Sequence, residues 1–211
     1  WNCSGRPDGR KPYGTTSVLR HCERLLADGT ITETDFPSQL LEELILEMFD
    51  YYRRSQAFFH LGDYEAALSD INHALNSLQV LRRCAPDQTE EFDRHRPALL
   101  VDRARAEMLR AMKHEAPRAA LDALNRGISD LEHYYLYYEL DQQIAESSER
   151  EVLIELRRSL REKYNVPLDD QELLESLRVE QEVAINKENY EMAARLRDKI
   201  QSLKQKIGIQ E

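Results

Sequence analysis

Glycine and proline are scarce in this chain of 211 residues, seven of each. That scarcity argues against disorder of the chain as a whole and points to ordered, helix-rich structure. Cysteine is scarcer still. Cys3, Cys22 and Cys84 form no CxxC pair, and three thiols leave one unpaired under any disulfide scheme. A reducing, cytoplasmic setting is the expectation. Cys22 follows His21, but adjacent residues on a helix diverge, so no metal site and no cofactor is expected there. No apolar run approaches the roughly 18 residues of a membrane span, and the start at Trp1 has no signal-peptide pattern. A membrane segment is therefore not expected, while the missing initiator methionine points to residues upstream of Trp1.

Positive charge is also short. The 29 basic side chains are outnumbered by 39 acidic ones, a net charge of -10. That balance opposes direct nucleic-acid binding, whose footprint is a basic patch on a basic domain. No GxGxxG, P-loop, HExxH or GxSxG pattern occurs. His60 and His73 sit in no metal or nucleophile motif and read as packing or surface residues. The expectation is a chain without catalytic residues.

What is present is helical periodicity, giving an all-α reading in three parts: 1–34, 35–166 and 167–211. In the first, Gly5, Pro7, Gly9, Pro12 and Gly14 mark an irregular arm. Arg6, Arg10 and Lys11 make it basic. A solvated tail is the expected state, with docking on carboxylates of the body or of a partner as the alternative. Thr15, Thr16 and Ser17 are candidate caps for a short helix carrying Val18, Leu19, Cys22, Leu25 and Leu26, ending near Gly29. Asp35 is a candidate cap, with Pro37 early in the first turn, for a long amphipathic helix bearing Leu40, Leu41, Leu44, Ile45, Met48, Phe49 and Tyr52 and running to Leu61.

Tyr51, Ser55, Phe58, Gly62, Tyr64, Ala67, Ile71 and Ala74 are spaced so that small residues fall where two helices cross and Gly62-Asp63 makes the turn. This stretch resembles a tetratricopeptide repeat, a family of helix pairs with a period of about 34 residues. Arg54 departs from that pattern by standing where an apolar residue is usual, and Gln79 by standing where proline usually ends the unit. A second, weaker unit runs from Pro97 through Leu100, Ala104, Met108, Ala111 and Met112. It turns at residues 113–116 and returns from Pro117 through Ala120, Leu121, Leu124, Ile128 and Leu131. Two such pairs are too few for an open solenoid, so the helix after Asp35 and the one after Ser147 are expected to cap them. Tyr134, Tyr135, Tyr137 and Tyr138 form an aromatic patch that cannot face one way on a helix. Packing at a junction is the expected role, and a peptide-contacting surface the alternative.

Ser147 and Ser148 start a helix bearing Val152, Leu153, Leu156 and Leu160 that continues to Tyr164. Asn165-Val166-Pro167 breaks it. Asp169-Asp170 then caps one more amphipathic arm with Leu173, Leu177 and Ala184 at helical spacing. A short polar turn at 186–189 leads to a last arm on which Ala193, Leu196, Ile200 and Leu203 recur every three or four residues. The pair reads as an antiparallel hairpin. About 35 residues are too few to be stable without help, so its apolar stripe wants a partner.

The run from Asn189 to Ile200 (Asn-Tyr-Glu-Met-Ala-Ala-Arg-Leu-Arg-Asp-Lys-Ile), with Ala184 before it and Leu203 after it, resembles the UVR motif shared by the excision-repair proteins UvrB and UvrC. The same motif occurs in bacterial proteolysis adaptors such as the McsA and ClpC families. The resemblance implies a protein-docking hairpin in a bacterial adaptor or scaffold. Its partner-binding residues would be Tyr190, Ala193, Leu196, Arg197, Asp198, Ile200 and Leu203, with Arg197 and Asp198 as a polar rim. The implied partner is a protein, another UVR-motif chain or a second copy making a homodimer. A repair or stress-response component that touches nucleic acid is the alternative.

Overall fold

The computed structural model describes residues 2, 3, 5–144, 146–168 and 170–207. All regular structure among them is helical. The chain divides into two units, Trp1–Tyr164 and Asn165–Glu211, and each is taken by itself.

In the first unit, α1 spans Val18–Ala27 and is capped by Ser17, whose hydroxyl accepts from the Arg20 amide at 3.1 Å. Next, α2 runs Ser38–Leu61 and ends at Gly62, whose φ of 70° is the left-handed turn that glycine adopts without a Cβ clash. Asp35 does not cap it. The residue before the helix is Pro37, which makes no side-chain cap. Asp63 caps α3, Tyr64–Cys84, by accepting from the Ala66 amide. The two-residue turn folds α3 back on α2, and Ala67 is fully buried at their contact.

After the short α4, Thr89–Asp93, the second pair is α5, Arg96–Lys113, and α6, Pro117–Tyr137, each with proline in its first turn. Here the close approach comes from Gly127, where a Cβ would lie 2.4 Å from the Cβ of Ala104. The pairs join through α3 and α5. Gln56 on α2 donates to Asp102 on α5 at 2.8 Å, and the Lys113 ammonium donates to the Gly62 carbonyl. Then α7, Ser148–Tyr164, packs on α5 and α6, with Leu153 fully buried and Val152 exposed. The expected cap from the helix after Asp35 is corrected: α2 is itself the first arm of the first pair, and α1 packs beside it on α2 and α3. One continuous apolar core runs from Val18 through Leu44, Ile71 and Leu99 to Leu124 and Leu153.

The second unit is a hairpin of α8, Asp170–Asn186, and α9, Tyr190–Ile207. Of the expected caps on α8, Asp169 lies outside the described residues. Among the described residues no helix is long and apolar enough to cross a membrane.

Candidate docking hairpin

The apolar positions on α8 and α9 recur every three or four residues, so each arm carries one stripe, and the hairpin presses the two together. Leu174, Leu177 and Ala184 of α8 meet Ala193, Leu196, Ile200 and Leu203 of α9, all buried, with Leu173 only partly so. The seam thus includes Leu174, with Leu173 packed at its edge. At the turn, Asn189 receives the Met192 amide on its side chain at 3.2 Å and the Ala193 amide on its carbonyl at 3.0 Å, which starts α9. The Asn189 amide in turn donates to the Ala184 carbonyl at 2.8 Å, closing α8. At the open end, the Lys206 ammonium meets Asp170 at 2.8 Å.

This geometry sorts the residues expected to contact a partner. Ala193, Leu196, Ile200 and Leu203 face the other arm, where they form one buried apolar cluster with Leu174, Leu177 and Ala184. Tyr190 is not in the seam. It is the first residue of α9, rotated off the apolar stripe, and is 67% exposed. Arg197 and Asp198 pair with each other at 2.8 Å and project to solvent. Arg195 pairs with Glu191 one turn away at 2.7 Å. Tyr190, Met192, Arg197 and Asp198 are therefore what α9 offers outward, over a closed apolar interior.

The four clustered tyrosines are mostly engaged within the first unit. Tyr138 donates to the buried carboxylate of Asp93 at 2.8 Å, and Tyr135 donates to the Ser147 hydroxyl at 3.0 Å. Burial pushes the Tyr134 phenol up to about 12, with the nearby Asp93 carboxylate adding to it. Tyr137 is the exposed member, with the Arg82 guanidinium 4.6 Å from its ring centre. The cluster is packing between α6, α4 and the start of α7, with one outward ring.

A second polar constellation escaped the pattern reading. Glu47 on α2 has no exposed surface, and its carboxylate accepts from the Val18 amide at 2.8 Å, the Leu19 amide at 3.0 Å and His73 Nε2 at 3.1 Å. Arg6 from the arm reaches the same group at 3.1 Å. Burial pushes the Glu47 carboxyl up, but the hydrogen bonds from His73 and the two amides outweigh it and hold the group below the usual carboxylate value. Tyr51 stacks on His73 with ring centres 3.6 Å apart, and burial pushes its phenol up to about 12. Two turns further along α2, buried Arg54 makes a two-pronged ion pair with buried Asp70, both contacts 2.7 Å, and its remaining nitrogen donates to the Asn2 carbonyl at 2.8 Å. The arm is therefore docked at Arg6 and Asn2 rather than free as a solvated tail. The signal was available in the spacing, since Leu40, Leu44, Glu47, Tyr51, Arg54 and Phe58 fall on one helical stripe and two of them are charged.

His21 stacks on Tyr13 at 4.1 Å, and its neighbour Cys22 is fully buried, with its thiol pushed up to about 12 by burial and by Glu47. Among the described residues no group of three His, Cys, Asp or Glu side chains is placed to hold a metal ion.

No curated protein and no solved structure is similar to the chain. The hairpin itself is matched: residues 171–206 fit the UVR family model, described as the UvrB/uvrC motif, so the C-terminal unit of this chain carries a UVR motif.

Proposed function

We propose that this chain is a non-catalytic docking protein, a cytoplasmic adaptor whose UVR hairpin engages a protein partner while the helical first unit serves as a tetratricopeptide-like scaffold. The observation that carries the reading is the UVR match on a unit whose seam is already closed by its own two arms. Contact with a partner then falls to the outward residues of α9. An exposed aromatic flanked by a charged pair is a combination suited to protein recognition, with the ring supplying area and the charges orientation. Glu47, Arg54 and Asp70, buried in the first unit, and the half-buried His73 hold helices and arm together, a structural use that supports the non-catalytic reading. Another UVR-motif chain or a second copy is the proposed partner, with bacterial origin part of the same reading.

A second reading, contact with the excision-repair machinery or with nucleic acid, is favoured by the UvrB/uvrC description of the matched family. The two are separated by affinity capture with the full chain, with Tyr190→Ala and with an Arg197→Glu, Asp198→Lys double variant, alongside titration with duplex and single-stranded DNA. The docking reading expects a protein partner that the charge-reversed chain binds more slowly and the Tyr190→Ala chain more weakly. Capture that survives all these changes would remove the hairpin from docking. DNA binding whose strength falls steeply with salt would move the assignment to the second reading.

A further inference from the structure

We infer that the irregular arm and α1 form one cooperative cover on the first unit, which opens as a whole and is latched by Arg6 on Glu47. The cover is independent of the hairpin and of any partner docked there. Among the described residues, α1 has polar ties to α2 and α3 at one group only. The Val18 amide donates to Oε2 of Glu47 at 2.8 Å and the Leu19 amide to Oε1 at 3.0 Å. The Arg6 guanidinium lies 3.1 Å from the same Oε2 that takes the Val18 amide, while His73 of α3 meets Oε1. One carboxylate oxygen thus holds both the arm and the first residue of α1.

Glu47 has no exposed surface, so its charge depends on these partners. Without Arg6 a buried carboxylate loses its arginine counter-ion, a costly state that is relieved by letting water in. Thr16 and Arg20, on either side of Val18 and Leu19, are already exposed, which makes the start of α1 the place where water enters. The arm has two further anchors. Tyr13 stacks on His21 of α1 at 4.1 Å and donates to Glu43 of α2 at 2.7 Å, and the Asn2 carbonyl accepts from Arg54 at 2.8 Å. Tyr13 has a φ of 54°, a left-handed backbone that costs a tyrosine energy and persists because these contacts hold it. Detached from the body, α1 has only 10 residues, fewer than the roughly 12 to 15 at which an isolated helix becomes even marginally stable. Lifting the arm and melting α1 are therefore one event, a local opening of the kind that precedes global unfolding. At the far end of α1 the chain turns at Gly29, with a φ of 74° and open space around it, and this turn is the hinge. Cys22 on the inner side of α1 has no exposed surface, so its thiol meets solvent only when the cover lifts.

The test pulses the full chain with N-ethylmaleimide under native conditions and quantifies each cysteine by peptide mapping, with amide hydrogen exchange followed in parallel. Arg6→Gln removes the latch. Arg6 makes its ion pairs with Asp8 and Glu47 and none with α1, so an effect confined to the arm leaves Cys22 as slow to react as in the parent. Arg10→Gln is the control, because Arg10 is an exposed arm residue that pairs only with Asp8. The expected result is that Cys22 labels on the order of tenfold faster in Arg6→Gln and at the parent rate in Arg10→Gln. Arg6→Lys, which keeps the charge, should restore most of the slow rate. Amides of the arm and α1 should lose protection together, while those of α5 and α6 keep theirs. The inference is overturned by an unchanged Cys22 rate in Arg6→Gln, or by arm amides that lose protection while α1 retains it. It also fails if α5 and α6 open equally, which would be global unfolding, if Arg10→Gln matches Arg6→Gln, or if Arg6→Lys opens as far as Arg6→Gln. Loss of partner capture by the hairpin leaves all of these readouts unaffected.

Discussion

The buried carboxylate of Glu47 accepts the backbone amide of Val18, 29 residues earlier in the chain, at 2.8 Å. Val18 and Leu19 are the first two residues of α1, whose amides have no partner inside the helix. A side chain from α2 thus satisfies the start of α1, and the negative charge sits at the positive end of that helix. Glu47→Ala should remove this tie and leave Arg6 and His73 facing an empty site. Losing one partner of a buried ionic cluster costs about 3 to 5 kcal/mol. Chemical denaturation should show that loss, with the arm and α1 exchanging amide hydrogens sooner than α2. A change below about 1 kcal/mol would mean that α1 is held by apolar packing alone.

The same group sets an acid limit. Its folded-state pKa lies below the ordinary carboxylate value of 4.5. A depressed carboxylate contributes stability that is fully present above its unfolded pKa and is lost as pH falls through its folded pKa. Unfolding free energy should therefore fall as pH drops below about 4.5, and the fall should be shallower in Glu47→Gln. Parallel pH profiles of the two proteins would show that Glu47 is not responsible.

Gly127 marks where α6 comes closest to α5. A methyl there would lie 2.4 Å from the Ala104 Cβ and 3.0 Å from a Leu153 methyl. Glycine to alanine inside a helix ordinarily gains about 1 kcal/mol in propensity. Here the clash is with a Cβ fixed to its own backbone, so overpacking of about 1 to 3 kcal/mol should win. Gly127→Ala should lower the melting temperature. Ala67→Leu, at the fully buried contact of α2 and α3, should do the same for the same reason. A rise in melting temperature for Gly127→Ala would show that the helices can separate without penalty.

In the hairpin, burial predicts opposite outcomes for two large residues of α9. Leu196 is 2% exposed, and Leu196→Ala should cost about 2 to 5 kcal/mol, enough to unfold a unit this small. Tyr190 is 67% exposed, and Tyr190→Ala should change stability by no more than about 0.5 kcal/mol. Circular dichroism of Leu196→Ala should lose the helicity of α8 and α9 while the first unit melts as before. Equal destabilisation by the two variants would mean that the ring packs where the structure exposes it.

Helical period was enough to place α1 to α3 and α5 to α9 and the paired stripes of the hairpin. It worked because an amphipathic helix writes its buried face into its own spacing, and because Gly62, Pro117 and Pro167 interrupt that spacing at the turns. Period also indicated that Ala67 sits at a crossing, since only a small side chain suits the stripe there.

What period cannot state is which distant group meets a given face. Arg54 reads as a defect in an apolar stripe until α3 brings Asp70, 16 residues on, into contact with it. Glu47 reads as one more surface acid until α1, α3 and the arm surround it. The arm's turns are visible in its glycines and prolines, but its docking depends on Arg6 and Asn2 finding carboxylate and guanidinium partners on α2. Tyr190 likewise has the composition of a core residue, and only its place on the first turn of α9, rotated from the seam, puts it in solvent. Local sequence determines backbone conformation and which side of a helix is apolar. The pairing of charges, and the choice between seam and surface at a helix end, is decided by neighbours that are remote in sequence and exist only once the chain has folded.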